Sequence, residues 1–314
     1  MPILNNNPKI EELSVQLISK TVFPKAFWKA IVSSFHSLRT LRIHGAVIVI
    51  GTDVENKNHD RSEEEEEEEE DTALDAFLDA CLTVEHLDLD FIDFRHGRQL
   101  ATCPRWTECR VLPNLRHLDF FGRTQLDLEF LSKCLSAPTL QSLRWSTSHK
   151  EQYAPGEFTK LVTQRIVEAR LAALESLELW DGMPFTDKEL AAILDSLANP
   201  LKEFSVADSR FGEEALISLL RQPLTSGSHQ DLLLLSDNST KGESPTTTTT
   251  TTTTLNPFRQ VAHCATLQKL DLSDCQDVTE DMIQQITASC PDLKTFYPPE
   301  LDCDSSTNAM DCFD

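Results

Sequence analysis

Apolar residues along the chain recur in a short pattern, L-x-x-L-x-L, in which other apolar residues replace some leucines. Its last two apolar positions are two residues apart, so the pattern predicts a strand that buries one face and points the intervening residues to the other. The clear copies are IEELSV from Ile10, LRTLRI from Leu38, VEHLDL from Val84, LRHLDF from Leu115, LQSLRW from Leu140, LESLEL from Leu174, LKEFSV from Leu201, LQKLDL from Leu267 and LKTFYP from Leu293. A weaker copy, QDLLLL from Gln230, brings the total to about ten predicted units.

Amphipathic segments follow several of these strands. Apolar residues at helical spacing predict helices over Lys188 to Leu197, Gly212 to Leu220 and Glu280 to Ala288. One strand and one helix cannot bury both of their apolar faces, so stacked units are expected to share a core between a parallel sheet and a row of helices. We therefore predict a single α/β domain over residues 1–300. Its repeats indicate a leucine-rich-repeat solenoid, a ribonuclease-inhibitor-like horseshoe with the sheet on the concave side and helices on the convex side.

Two low-complexity segments interrupt the repeat. The glutamate run lies in the longest interval between copies, and nine consecutive threonines follow the weak copy. We expect the acidic insertion 53–71 and the Ser/Thr-rich insertion 236–255 to be disordered loops, and residues 301–314 to form a short acidic tail. The alternative for the acidic insertion is a tether for a basic partner.

The copy from Leu267 reads LQKLDLSDCQDVTEDMIQQITASCPDLKTF and resembles the cysteine-containing leucine-rich repeat of F-box substrate receptors. That family's pattern is roughly LxxLxLxxCxxITDxxLxxLxxxCPxLxxL. The matching positions are Leu267, Leu270, Leu272, Cys275, Val278, Thr279, Met282, Ile286, Cys290, Pro291 and Leu293. The match covers about one and a half repeats, and the copy from Leu174 is a weaker one, with Phe185, Thr186 and Asp187 at the I-T-D position.

In that family the repeats form the substrate-recognition arm of an SCF-type ubiquitin ligase receptor, and an N-terminal F-box joins the arm to the ligase adaptor. The resemblance implies a protein–protein interaction scaffold of this kind. Because the first predicted strand begins at Ile10, we expect the F-box to be absent or lost. The ligase adaptor is then an expected partner only if an F-box is supplied.

The charge of the chain narrows the choice of partners. Its net charge is −23, and subtracting the eight consecutive glutamates still leaves −15. An acidic surface repels phosphate groups, which disfavours nucleic acid and anionic membranes as partners. The N-terminus does not resemble a signal peptide, and no apolar segment approaches the ~18 residues of a membrane span. We expect a cytoplasmic or nuclear protein whose cysteines are free thiols.

The sequence carries no pattern typical of an enzyme. It lacks the phosphate-binding, nucleophile-elbow and zinc-protease motifs, and its cysteine spacing does not match a zinc site. We therefore predict no catalytic activity, no cofactor and no metal. Cys275 and Cys290 are expected to pack as small apolar side chains. His86 and His117 occupy equivalent positions and are expected to stack, either as a proton-sensitive patch or as a solvated ladder.

The outward positions of the predicted strands supply the candidate binding surface. Acidic residues there surround Phe121 and Trp180, which predicts a surface for a Lys/Arg-rich protein segment, with the two aromatic side chains as anchors. The alternative is that both aromatic side chains fold over the strand edge and pack in the loops. Trp145 falls at an inward position and is expected in the core. The candidate partner-binding residues are Asp88, Asp90, Asp119, Phe121, Arg144, Glu178, Trp180 and Asp271.

Two other functional interpretations stay open at this point. Some activators of small GTPases are acidic leucine-rich-repeat crescents, so a GTPase regulator shares the expected shape and charge. The two homopolymer runs and the missing F-box also fit a non-functional fragment.

Overall fold

The computed structural model of the chain describes residues 9–16, 21–23, 25–44, 48–50, 77–93, 112–122, 132–146, 156–180, 184–221 and 262–299. Within these ranges the protein is α/β, with one parallel sheet whose strands alternate along the chain with helices. No helix of these ranges is long and apolar enough to cross a membrane. The predicted insertions 53–71 and 236–255 and the predicted tail 301–314 lie outside the described residues.

Eleven strands and five longer helices have defined bounds in the described ranges. The strands are β1 (Glu12–Gln16), β2 (Thr21–Phe23), β3 (Thr40–His44), β4 (Ile48–Ile50), β5 (His86–Asp93), β6 (His117–Gly122), β7 (Ser142–Ser146), β8 (Ser176–Trp180), β9 (Glu203–Val206), β10 (Lys269–Asp271) and β11 (Thr295–Tyr297). The helices are α1 (Lys25–Ser34), α2 (Glu157–Ala169), α3 (Asp187–Ser196), α4 (Glu213–Leu220) and α5 (Glu280–Ser289). Residues 77–81 and 132–135 are also helical.

Nine strands form the main path of the sheet, in the order β1-β3-β5-β6-β7-β8-β9-β10-β11. Each of the nine clear copies of the sequence pattern supplies one of these strands, which confirms the predicted parallel sheet. Strands β2 and β4 lie off this path, and β4 pairs with the end of β5. The repeated sequence pattern does not predict these two short strands.

One backbone arrangement repeats at each of the eight junctions between consecutive strands of the main path. The carbonyl before a strand accepts two hydrogen bonds from the next unit, as when Arg116 N and His117 N both donate to Glu85 O, at 2.8 and 2.9 Å. The same pair of bonds links Lys202 O to Gln268 N and Lys269 N, at 2.7 and 3.1 Å. Equivalent residues therefore lie side by side in neighbouring strands.

The weak copy from Gln230 does not fit between its expected neighbours. Its residues lie outside the described ranges, and β9 pairs directly with β10, with Glu203 opposite Lys269 and Phe204 opposite Leu270. The other edge of β9 pairs with β8, so both edges of β9 are occupied and no strand lies between β9 and β10.

The core is continuous along the sheet. Inward side chains of the strands and apolar faces of the helices belong to one buried cluster, in which Trp145 is fully buried as predicted. The three predicted helices are confirmed as α3, α4 and α5, with ends that differ by one residue or less. Cys275 and Cys290 are buried in the same cluster, as expected.

Helix starts are also linked across units. Thr186 and Glu189 form a reciprocal capping box at the start of α3. The neighbouring Asp187 reaches the next helix instead: its carboxylate accepts hydrogen bonds from Gly212 N, Glu214 N and Ala215 N, at 2.9, 3.0 and 2.8 Å. One aspartate therefore satisfies the free N–H groups at the start of α4 and joins two consecutive units.

Candidate protein-binding surface

The face of the sheet that points away from the buried core, here called the outer face, carries the candidate residues. The register places Arg42, Asp88, Asp119, Arg144 and Glu178 opposite one another on β3, β5, β6, β7 and β8. These five side chains form a row across five consecutive strands, about 4.8 Å from strand to strand. The row has the order that the sequence pattern predicts.

A second row lies two residues further along the same strands. Asp90 is opposite Phe121, Phe121 is opposite Ser146, and Ser146 is opposite Trp180. Seven of the eight predicted residues are therefore brought together on β5 to β8.

The eighth predicted residue, Asp271, lies apart from the others. Ser205 separates it from Glu178 in the row. Its carboxylate accepts hydrogen bonds from the backbone N–H and the hydroxyl of Ser273, at 3.0 and 2.7 Å. Asp271 thus shapes the turn after β10.

Several charges on the outer face already have partners within the protein. Arg144 lies 3.5 Å from a carboxylate oxygen of Asp119 and 3.5 Å from one of Glu178. Lys269 lies 3.5 Å from the other oxygen of Glu178, whose side chain is only 15% exposed, against 42% for Asp119. Of these two carboxylates, Asp119 is therefore the one that a partner can reach.

Trp180 is half-buried, and the guanidinium of Arg144 lies over its ring, 4.9 Å from the ring centroid. Its indole nitrogen is buried and has no hydrogen-bond partner among the described residues. The cation of Arg144 occupies one face of the indole, an arrangement that stabilises both groups. Phe121 is also half-buried and remains on the outer face.

Asp88 and Asp119 place two carboxylates directly opposite each other. Burial is the main cause that raises the pKa of Asp119 to about 6; the charges of Asp88 and Glu178 act in the same direction, and those of Arg144 and His44 oppose it. Burial also raises the pKa of Asp88, against the lowering effect of His44, Arg42 and Arg144. His44 lies 3.0 Å from a carboxylate oxygen of Asp88. Both carboxylates are thus less stable as anions than ordinary aspartates.

His86 and His117 stack as predicted. Their ring centroids are 4.1 Å apart and their planes differ by 8°. Burial is the main cause that lowers the pKa of His117, and the neighbouring His86 and Arg116 add to the effect. His117 is therefore mainly neutral at pH 7.

The buried cysteines are unsuited to chemistry. Burial raises the pKa of Cys275 to about 12 and that of Cys290 to about 11. The Cys275 thiol donates to the carbonyl of Val206, 3.2 Å away, so it ties one unit to the one before. A thiolate is the reactive form of cysteine, so these two side chains have a packing role. Within the described ranges, no group of His, Cys, Asp or Glu side chains is placed to hold a metal ion.

The sequence analysis missed the contribution of Lys269. Lys269 occupies the third position of its unit, as His86 and His117 do in theirs. The third position also points outward, because it shares the face of the fifth. Reading that position in every unit would have identified the cation that shields Glu178.

Comparison with protein-family models finds no match for the chain. Comparison with curated proteins likewise finds none that matches. The arrangement of the outer face is therefore the basis for a functional proposal.

Proposed function

We propose that the protein is a non-enzymatic recognition scaffold that binds a basic segment of another protein on the outer face. The units form a leucine-rich-repeat solenoid in this proposal, and the outer face lines its concave side. The binding centre is Asp88, Asp119 and Phe121, with Asp90, Arg144, Glu178 and Trp180 around it.

The alignment of Asp88 with Asp119 carries this proposal. Like charges directly opposite each other on neighbouring strands destabilise a sheet. Arg144 is shared between Asp119 and Glu178, and it therefore compensates the acidic pair only in part. A lysine or arginine of a partner placed between Asp88 and Asp119 would remove this repulsion and form charge-assisted hydrogen bonds.

Phe121 supports the same location. It lies on the same strand as Asp119, two residues further along, and is half-buried on the outer face. An aromatic side chain next to carboxylates offers both apolar area and a ring face to the stem and head of a basic side chain. By contrast, Arg144 already covers Trp180, so we expect Trp180 to hold the surface in shape rather than anchor the partner.

The particular role that we propose is substrate recognition for an SCF-type ubiquitin ligase. The support for it is the resemblance of the unit from Leu267 to the cysteine-containing repeat of F-box receptors. Cys275 and Cys290 are buried, in keeping with the packing role expected of them, and Thr279, another matching position, caps α5.

Affinity purification of the tagged full chain from its own cells, followed by mass spectrometry, tests both the scaffold role and the ligase role. Recovery of basic proteins is the result expected for the scaffold role, and recovery of a ligase adaptor and cullin with them would support the ligase role. Recovery of a basic protein without ligase components would refute the ligase role and leave the scaffold role. Recovery of a small GTPase whose hydrolysis rate the chain raises would refute the proposal in favour of a GTPase regulator.

A further inference from the structure

Two neighbouring strands carry the same three residues in register on the outer face. His86-Leu87-Asp88 on β5 pairs with His117-Leu118-Asp119 on β6. The leucines are buried, whereas the histidines and aspartates point outward, so that two imidazoles and two carboxylates form a two-by-two group. We propose that this His-Asp group is a proton-operated switch that releases a basic partner on mild acidification. The inference rests on the proposed function, because it concerns the regulation of the same surface.

The histidine half of the group has a defined electrostatic setting. The stacked rings of His86 and His117 lie between neutral neighbours in their row, Thr40 on β3 and Ser142 on β7. Charged side chains from the turns that precede the strands also flank the pair. They are Arg39, Glu85 and Arg116, and Glu85 lies 3.2 Å from Arg39 and 3.6 Å from Arg116.

This setting limits how the imidazoles take up protons. Glu85 is shared between two arginines, so it compensates little of any charge that the imidazoles gain. Protonation of His117 is opposed by its burial and by the neighbouring His86, whose ring centroid lies 4.1 Å away. A proton on His117 adds one positive charge beside the carboxylates.

The aspartate half loses negative charge on mild acidification. Asp119 faces Asp88, Glu178, Arg144 and His44, and its pKa of about 6 makes it largely anionic at pH 7.5 and largely neutral at pH 5. Asp88 faces Arg42, Arg144 and His44. On acidification, the charge of both halves of the group therefore changes in the same direction, toward positive. Acidification removes a negative charge from Asp119 and adds a positive charge to His117, and each change weakens attraction to a cationic partner.

The size of the effect follows from proton linkage. A bound cation favours ionised Asp119, so binding at low pH requires loss of the Asp119 proton. We take one proton per binding event and an Asp119 pKa that falls from about 6 in the free chain to an ordinary aspartate value in the complex. Affinity for the partner then falls about tenfold between pH 7.5 and pH 5. A second proton on the histidine pair increases the fall.

Binding of the full chain to an arginine-rich peptide at several pH values tests the switch. The peptide contains no histidine or acidic residue and has blocked ends, so its own charge stays constant from pH 5 to pH 8. Fluorescence anisotropy at constant ionic strength gives Kd, and circular dichroism at each pH checks that the chain is folded.

The test variants are Asp119→Asn and the double variant His86→Gln with His117→Gln. The controls are Asp292→Asn and His36→Gln, which change the same residue types at exposed positions outside the outer face.

The expected result is a Kd that rises at least about tenfold from pH 7.5 to pH 5 in the wild-type chain and in both controls. In Asp119→Asn the Kd should be higher at pH 7.5 and most of the pH dependence should be lost. The histidine variant should retain the wild-type Kd at pH 7.5 and show a smaller rise. Binding that is equally tight at all pH values would overturn the switch and leave the scaffold role. Absence of binding at every pH would overturn the scaffold role and the switch together.

Discussion

His263 shows how burial assigns a role to a single residue. Its side chain is 1% exposed, its Nδ1 accepts from Leu201 N at 3.2 Å, and its Nε2–H donates to Leu194 O at 3.0 Å. The neutral imidazole therefore connects the end of α3, the start of the next unit and the turn before β10. Burial lowers the pKa of His263 because the charged form loses its hydration.

This arrangement makes stability depend on pH. Because the folded pKa of His263 lies below its ordinary value of 6.5, the unfolded chain binds the proton more readily. The contribution of His263 is therefore complete above about pH 6.5 and is lost as pH falls through the lower, folded pKa. In urea unfolding, His263→Gln should lower stability at pH 7.5 by about 1–3 kcal/mol and reduce the loss of stability between pH 7 and pH 5. An unchanged pH dependence, equal to that of the exposed control His36→Gln, would contradict this role.

Phe121 and Trp180 make different predictions, because their surroundings on the outer face differ. Phe121→Ala should weaken partner binding by about tenfold, with little loss of thermal stability, because it removes an aromatic contact at the proposed binding centre. Trp180→Ala should lower stability, since it exposes Arg144 and removes half-buried area, and should affect binding less. Melting temperatures and partner Kd values separate the two effects. A large stability loss in Phe121→Ala would show that Phe121 is a core residue.

At the scale of elements, the connection between α3 and α4 depends on one aspartate and one glycine. A Cβ atom added to Gly212 would lie 2.7 Å from Oδ2 of Asp187, which is closer than such atoms approach. The glycine therefore leaves the space in which the Asp187 carboxylate reaches the first N–H groups of α4.

Gly212→Ala should lower the free energy of unfolding by displacing this carboxylate, and Asp187→Ala should do so by about 1–2 kcal/mol, as for other lost helix caps. Because both changes remove the same interaction, the double variant should be less destabilised than the sum of the two single variants. Urea unfolding of the three variants gives the coupling energy. Strict additivity would contradict a shared cap.

The sequence was sufficient to predict those helices and strands whose apolar residues, spaced for that element, also face the core. Leu190, Ile193 and Leu194 lie at helical spacing behind the Thr186 cap, and all three are buried in α3. The strands of the main path are predictable for the same reason, since one apolar pair per copy faces the core. The prediction of a strand between β9 and β10 from the Gln230 copy was wrong, because β9 pairs directly with β10. An apolar run alone does not reveal which strands are neighbours in a sheet.

The sequence was enough to predict which residues lie on the candidate surface, but not which contacts their side chains make. Strand alternation is enough to place Asp88, Asp119 and Phe121 outward and in register. The position of the Arg144 guanidinium over Trp180, and its sharing between two carboxylates, depends on side-chain rotamers that no sequence pattern encodes. The raised pKa of Asp119 likewise needs the surroundings that only the folded sheet provides.

At the scale of the whole molecule, the backbone ladder is as regular between β9 and β10 as elsewhere, although the connection between them is much longer. The register of β9 with β10 is therefore the same as that of the other neighbouring strands of the main path. Closing a loop becomes only about 0.6 kcal/mol more unfavourable for each doubling of its length. Deletion of residues 236–255 should change the free energy of unfolding by no more than about 1 kcal/mol in urea. A loss of several kcal/mol would show that the segment packs on the stack.

The central claim is that the outer face around Asp119 binds a basic protein partner. The most direct test compares partner recovery by wild-type chain, Asp119→Lys and Asp292→Lys, expressed at equal levels in the protein's own cells. The two variants change the net charge equally, but only the first changes the outer face. The account predicts that Asp119→Lys loses the basic partner while Asp292→Lys retains it, with similar melting temperatures. Equal recovery by both variants, or equal loss, would contradict the claim that binding occurs at this site.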